Sequence, residues 1–281
     1  MAHTTLITAE TLRDLQASAT PLVIIDTSFD LADVGAGERS YGEGHLPGAF
    51  YLHLDRDLSG AKTGRNGRHP LPDRQAFAAT AGALGITPHT QVVVYDRQQA
   101  MFAARAWWML RWLGHEAAAV LDGGVAAWQQ AGGALDSAVP AAVPRPPYPK
   151  REPLVAIIDA AQLSERLGRL RLIDARAPER YRGDVEPLDA QAGHIPGALN
   201  RFFKDNLAAD GRFKPRDQLR DEWTPLLGVA PAQQVVHHCG SGVTACHSVL
   251  AMEAAGLHGS AIYPGSWSEW SSDPARPVAR S

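Results

Sequence analysis

The sequence predicts an α/β protein built as two tandem domains, each a mainly parallel sheet with helices on both faces. Three observations carry this. The chain has 281 residues, about two ordinary domains' worth. Short, unbroken apolar runs alternate with helical patterns, as expected of strands covered on both faces. The chain also repeats itself in order, which decides the architecture.

The repeat has four matched blocks. Leu22-Val23-Ile24-Ile25-Asp26 matches Leu170-Arg171-Leu172-Ile173-Asp174, and Gly44-His45-Leu46-Pro47-Gly48-Ala49 matches Gly193-His194-Ile195-Pro196-Gly197-Ala198. Leu84-Gly85-Ile86 with Gln91-Val92-Val93-Val94-Tyr95-Asp96 matches Leu227-Gly228-Val229 with Gln234-Val235-Val236-His237-His238-Cys239. Leu121-Asp122-Gly123-Gly124 with Trp128 matches Tyr263-Pro264-Gly265 with Trp270. Helices are expected near 9–18, 73–84 and 100–113 in the first copy, and near 160–168, 216–227 and 244–255 in the second. Asp159 with Gln162 reads as a capping box opening the second copy. Between the copies, 139–153 carries prolines at 140, 144, 146, 147, 149 and 153, a composition that favours an extended spacer. The expected division is therefore a domain at 1–138, a linker at 139–153 and a domain at 154–281.

Composition narrows the function. Hydrophobic residues make up 45% and charged residues 20%, ordinary for globular protein that can bury real cores. A net charge of −3 gives no basic field for nucleic acid or anionic membrane. No secretory or transmembrane segment is expected. Two cysteines, Cys239 and Cys246, are too few for a disulfide framework, which points to a reducing cytoplasm.

The chemistry is expected at His237-His238-Cys239-Gly240-Ser241-Gly242-Val243-Thr244-Ala245-Cys246-His247. A strand precedes this stretch and a helix follows from Thr244, placing Cys239 at the carboxyl end of a strand, where ligands bind in such sheets. Two glycines let the backbone curl so that successive N–H groups of Gly240, Ser241, Gly242, Val243 and Thr244 can face one atom. The helix dipole adds positive potential there, and both favour a thiolate.

With repeat and loop together, the chain resembles the tandem rhodanese-type sulfurtransferases. The loop Cys239-Gly240-Ser241-Gly242-Val243-Thr244-Ala245 is similar to that of their 3-mercaptopyruvate branch. The resemblance extends through His45-Leu46-Pro47-Gly48-Ala49, Trp107-Trp108, Leu121-Asp122-Gly123-Gly124 and Gly265-Ser266-Trp267-Ser268-Glu269-Trp270. It implies two rhodanese-like domains with catalysis in the second alone, and Asp96 stands in the first copy where the second has Cys239.

Cys239 is then the expected nucleophile, forming a persulfide that a thiol acceptor, such as thioredoxin or a low-molecular-weight thiol, or cyanide discharges. No cofactor is expected beyond that transient persulfide, and no metal. The resemblance implies that Ser241 handles protons and that His45 relays to it, although His194 holds the same place in the other copy. It implies that Arg180 binds the donor's anionic group, with Arg182 a weaker candidate.

One departure stands out. The mercaptopyruvate branch usually has a second arginine after Glu-Pro; here Glu186-Pro187 is followed by Leu188-Asp189, nearer the thiosulfate branch. Ser241 favours mercaptopyruvate as donor, with thiosulfate the alternative and a non-turnover sulfur carrier ranked lower. A cysteine phosphatase would need an arginine at the position of Ala245. A metal site is disfavoured because adjacent strand residues such as His237 and His238 point apart.

Overall fold

The computed structural model describes residues 2–149 and 151–281; Met1 and Lys150, the latter inside the expected linker, lie outside the described residues. The chain forms two compact units. The first contains β1 (Leu6–Ile7), α1 (Ala9–Ala17), β2 (Leu22–Asp26), α2 (Ala36–Glu43), β3 (Ala49–Tyr51), α3 (Leu54–Asp57), α4 (Arg74–Ala83), β4 (Gln91–Tyr95), α5 (Ala103–Trp112), β5 (Ala118–Leu121) and α6 (Gly124–Gln130). The second contains β6 (Ala156–Ile157), α7 (Ala160–Glu165), β7 (Arg171–Asp174), α8 (Pro178–Arg182), β8 (Leu199–Asn200), α9 (Arg216–Leu227), β9 (Val235–His238), α10 (Thr244–Ala254), β10 (Ala261–Ile262) and α11 (Ser266–Trp270).

Each unit holds a five-stranded sheet, ordered β1-β5-β4-β2-β3 in the first and β6-β10-β9-β7-β8 in the second. Every strand pairing in both sheets is parallel. Mapping β1 onto β6 and so on along the chain turns one order into the other, so the repeat read in the sequence is a repeat of topology. The apolar runs pack as expected: Ile24, Val93 and Leu121 join one core, and Leu172, Val236 and Tyr263 join the other.

The expected helices form, and no end is shifted by more than three residues. Asp159 makes its capping box with Gln162. Five further helices, α2, α3, α6, α8 and α11, are only four to eight residues long. A segment of one or two turns shows too few apolar positions for a 3.6-residue period to stand out.

The domain division differs in two respects. The proline-rich stretch belongs to the first unit, which runs on through Leu154. It is laid down there because Tyr148 is buried and donates its N–H to Ala78, while Arg145 donates to Gly82. Two short segments also change sides. Residues 61–71 belong to the second unit, and 210–212 belong to the first.

Candidate active site

β9 is the central strand of the second sheet, and Cys239 immediately follows its carboxyl end. α10 begins five residues later, and Thr244 to Met252 are all buried. A helix buried on every side is held rigidly, so its amino end is presented in a fixed place. The loop between is curled by Gly242 at φ +81°, where a Cβ would lie 2.2 Å from the Pro264 carbonyl oxygen. Only glycine meets both demands. The curl turns the Gly242 N–H onto Cys239 Sγ at 3.2 Å. Cys239 is itself 2% exposed.

The loop rests on a second turn, Tyr263 to Ser268. The Cys239 N–H donates to Ser266 Oγ at 3.1 Å, and Ser266 Oγ donates to the Tyr263 carbonyl at 3.0 Å. Ser266 takes φ +55°, a conformation costly for a residue with a side chain and concentrated at functional sites. Trp267 and Ser268 donate their N–H groups to the Cys239 and Gly240 carbonyls. Trp267 and Trp270 are fully buried and donate to backbone carbonyls, which makes them packing residues.

Segment 61–71 completes the site within this unit. His69 is buried, and its Nδ1 lies 2.7 Å from Ser241 Oγ. Arg68 donates its N–H to Ser268 Oγ at 3.1 Å and pairs its guanidinium with Asp189. Arg180 donates to Glu186 at 2.6 Å and lies 3.6 Å from Asp189. A Cβ placed on Gly240 would meet the Arg68 guanidinium at 2.8 Å and that of Arg180 at 3.4 Å. Two cations therefore converge on the backbone beside Cys239.

The histidine expected to act with Ser241 is where the expectation needs correcting. The structure does not bring His45 to Ser241; His69 holds that contact. His45 is fully buried in the first unit, its Nδ1 on the Tyr41 carbonyl at 2.8 Å and its Nε2 on the Ala138 carbonyl at 3.2 Å. His194 does the same in the second unit, with Nδ1 on the Tyr181 carbonyl at 2.8 Å. Both rings stack on the preceding tyrosine, at 3.9 and 4.0 Å. The Gly-His-x-Pro-Gly-Ala block is thus a turn element used twice, since its histidine is consumed by backbone carbonyls. Arg182 also stands apart: half-exposed, it pairs with Asp184 at 2.8 Å.

Arg68 and His69 are absent from the expected site because they lie in the other half of the chain. A signal was available in Thr63-Gly64-Arg65-Asn66-Gly67-Arg68-His69, a loop rich in arginine and glycine with no apolar period, the composition of a segment that binds rather than packs. Ser266 gave no comparable signal.

Behind the loop, the histidine pair faces opposite ways. His237 lies 3.2 Å from Met252 Sδ and edge-on to Trp223, and burial lowers its pKa to about 3. His238 lies 3.8 Å from Asp174, and burial outweighs that carboxylate to lower its pKa to about 4. Both are neutral near pH 7. Burial raises the Asp174 pKa, but the His238 and Arg176 charges and the Arg176 hydrogen bonds together hold it below the usual carboxylate range. Arg176, paired to Asp174 at 2.6 Å and lying over Trp267, is close enough to Cys239 for their charges to interact. Among the described residues, no group of three or more histidine, cysteine or carboxylate side chains could hold a metal ion.

The Rhodanese-like domain family matches residues 8–131 and 159–273. The chain belongs to that family. It is 46% identical to "Probable 3-mercaptopyruvate sulfurtransferase" of Pseudomonas aeruginosa, over 99% of each chain. It is 40% identical to "Putative thiosulfate sulfurtransferase SseB" of Mycobacterium tuberculosis, over 98% of this chain and 96% of that one. Among solved structures, the 3-mercaptopyruvate sulfurtransferase from Leishmania major superposes with a TM-score of 0.84 at 28% identity, covering 95% of this chain and 74% of that one. Among the described residues, no helix is long and apolar enough to cross a membrane.

Proposed function

We propose that this sulfurtransferase carries sulfur on Cys239 and takes it from 3-mercaptopyruvate. The observation that supports this most is the set of contacts around one sulfur: an amide aimed at Sγ, the head of a buried helix beside it, and Ser241 on His69 two residues away. The amide and the helix dipole favour negative charge on the sulfur.

In the first half-reaction the Cys239 thiolate attacks the donor's sulfur and the donor's carbon–sulfur bond breaks. The bonding pair leaves as the pyruvate enolate, which is protonated at carbon, the proton coming in balance from the donor thiol. His69 and Ser241 are the groups within reach to carry that proton. The products are pyruvate and a Cys239 persulfide anion, which the loop amides would stabilise. In the second half, an acceptor thiolate, from thioredoxin or a small thiol, or cyanide attacks the outer sulfur. The S–S bond breaks and the Cys239 thiolate returns. Arg180 would hold the donor's carboxylate, and the transient persulfide is the whole of the cofactor. The cysteine usage supports a reducing compartment, the cytoplasm.

Thiosulfate is the second reading, favoured by Leu188-Asp189 after Glu186-Pro187, where the mercaptopyruvate branch usually has an arginine, and by relatives named thiosulfate sulfurtransferase, including one from Cricetulus griseus at 34% identity. The test compares kcat/KM for the two donors with one acceptor. Mercaptopyruvate is expected to win, and thiosulfate winning by about an order of magnitude would reverse the assignment. Continued turnover with excess donor separates an enzyme from a carrier, which would load once and stop.

A further inference from the structure

We propose that Glu186 is a positioning residue, a buried carboxylate that sets the direction of the Arg180 guanidinium and acts on the reaction through it. The inference rests on the reading that Arg180 holds the donor's carboxylate. The Glu186 side chain is 3% exposed, and a carboxylate so deep stays charged only with partners. Its two oxygens divide the work. Oε1 accepts from Arg180 Nη2 at 2.6 Å and from the N–H groups of Leu188 and Asp189 at 3.1 and 3.2 Å. Oε2 accepts from Arg176 Nη1 at 3.4 Å. Asp189, the other carboxylate beside Arg180, stands 3.6 Å away and is itself placed by its N–H on Glu186. With Nη2 taken, Nη1 is the Arg180 atom nearest the place a Gly240 Cβ would fill, at 3.4 Å. Arg180 Nε has no hydrogen-bond partner among the described residues. Glu186 thus takes one corner of the fork and leaves the rest for an anion beside Cys239.

The carboxylate is anchored from behind. Arg176, its side chain 1% exposed, donates through Nη2 to Asp174 at 2.6 Å and to the Gly193 carbonyl at 2.8 Å, and through Nε to both Asp174 oxygens. Asp174 ends β7 in register with His238, and Ala175 donates its N–H to the His238 carbonyl at 2.9 Å. The line Asp174, Arg176, Glu186, Arg180 therefore starts on the strand paired with the one that leads into Cys239, and its charges alternate in sign. The first copy has no such line. Asp26 matches Asp174, and Ser28 stands where Arg176 does. The turn is the same, with the Ser28 N–H on Asp26 Oδ1 at 2.8 Å and the Arg176 N–H on Asp174 Oδ1 at 3.0 Å. Asp26 Oδ2, however, has no hydrogen-bond partner among the described residues. The buried ion line goes with the copy that has the cysteine. The alternative is that Glu186 only shapes its own loop through the two amides.

The test uses the full-length protein with Glu186→Gln, Glu186→Asp, Arg180→Gln, and Glu186→Gln combined with Arg180→Gln. Glutamine keeps an oxygen for the loop amides and loses the charge; aspartate keeps the charge and is one methylene shorter. The readouts are KM for 3-mercaptopyruvate at fixed acceptor and the inhibition constant of pyruvate, which carries the same carboxylate and carbonyl but no sulfur. Arg180→Gln is expected to raise both by about tenfold or more. Each Glu186 variant should raise both by about threefold to tenfold, with kcat kept within about twofold. In the double variant, Glu186→Gln should add less than about twofold to Arg180→Gln, because no fork is left to aim. Unchanged constants in the Glu186 variants beside raised ones in Arg180→Gln would overturn the proposal. So would tighter pyruvate binding by Glu186→Gln, which would make charge and not direction the issue, or full multiplication of the two effects, which would mark a collapsed loop. Unchanged constants in Arg180→Gln would sink the reading of Arg180 instead, which keeps the two failures apart.

Discussion

The loops that follow β4 and β9 occupy the same place in two copies of one fold, and each wraps its backbone around one side chain. In the first copy that side chain is Asp96. Its Oδ1 accepts from the N–H groups of Gln98 and Ala100, and its Oδ2 from those of Phe102 and Ala103, all at 2.8–2.9 Å. Burial raises the Asp96 pKa by more than those four bonds lower it. Each oxygen nevertheless accepts twice already, an arrangement that suits the carboxylate and leaves no place for a proton. In the second copy the side chain is Cys239, with one amide on its sulfur at 3.2 Å. The fold therefore builds an anion receptor twice. One copy fills it with its own carboxylate, and the other holds a sulfur that, on the proposed function, would be loaded and unloaded.

Cys239→Ser breaks the comparison most completely. Transfer from every donor should fall to background, since a serine oxygen cannot carry sulfane sulfur, and no mass gain of one sulfur should follow donor treatment. Turnover by the Cys239→Ser variant would end the assignment. Asp96→Ala is the reciprocal change. It leaves four N–H groups, three of them buried, without acceptors and should cost at least about 3 kcal/mol, read as a lowered urea midpoint, with activity per folded molecule largely kept. An unmoved midpoint would show that the first loop needs no anion.

The two histidine positions sharpen the contrast next. His69→Ala should lower kcat by about tenfold to a hundredfold by removing the partner of Ser241. His45→Ala should act on stability, as should His194→Ala, because each ring is bonded to backbone carbonyl in its own unit. Equal kinetic losses from His45→Ala and His69→Ala would contradict this division.

Acid should weaken the second unit. His237 and His238 sit at about 3 and about 4, below the ordinary 6.5 of an unfolded histidine. Between those values the unfolded chain binds more protons than the folded one. Stability is then full above about pH 6.5 and declines as pH falls towards 4. The urea midpoint should drop from pH 7 to pH 5, and a flat profile would argue against neutral buried histidines. The smallest effect is expected at Arg182, whose exposed pair with Asp184 contributes about 1 kcal/mol at most. Arg182→Ala should change KM by less than about twofold.

Much of this was legible in the chain. The repeat predicted the shared strand order, since matched apolar runs must be buried alike. Cys239 could be placed at a strand end by its flanking glycines, whereas Arg180 was singled out only through the resemblance. His45 could not be separated from His69 by reading, because a histidine bonded to backbone and one bonded to a serine look the same in one dimension. Ser266 was illegible for a related reason, since positive φ is a property of the turn and not of the residue type.

The sequence alone determined the doubling, the parallel α/β pattern, the single cysteine at a helix head and its replacement by Asp96. These depend on local periodicity and on residue chemistry, which a linear chain carries in full. Tertiary structure decided that residues 61–71 complete the second unit, that His69 meets Ser241 across 172 positions, and that Arg68 stands beside Asp189. Such contacts are fixed by how far the folded backbone carries a segment, a distance that separation along the sequence does not encode.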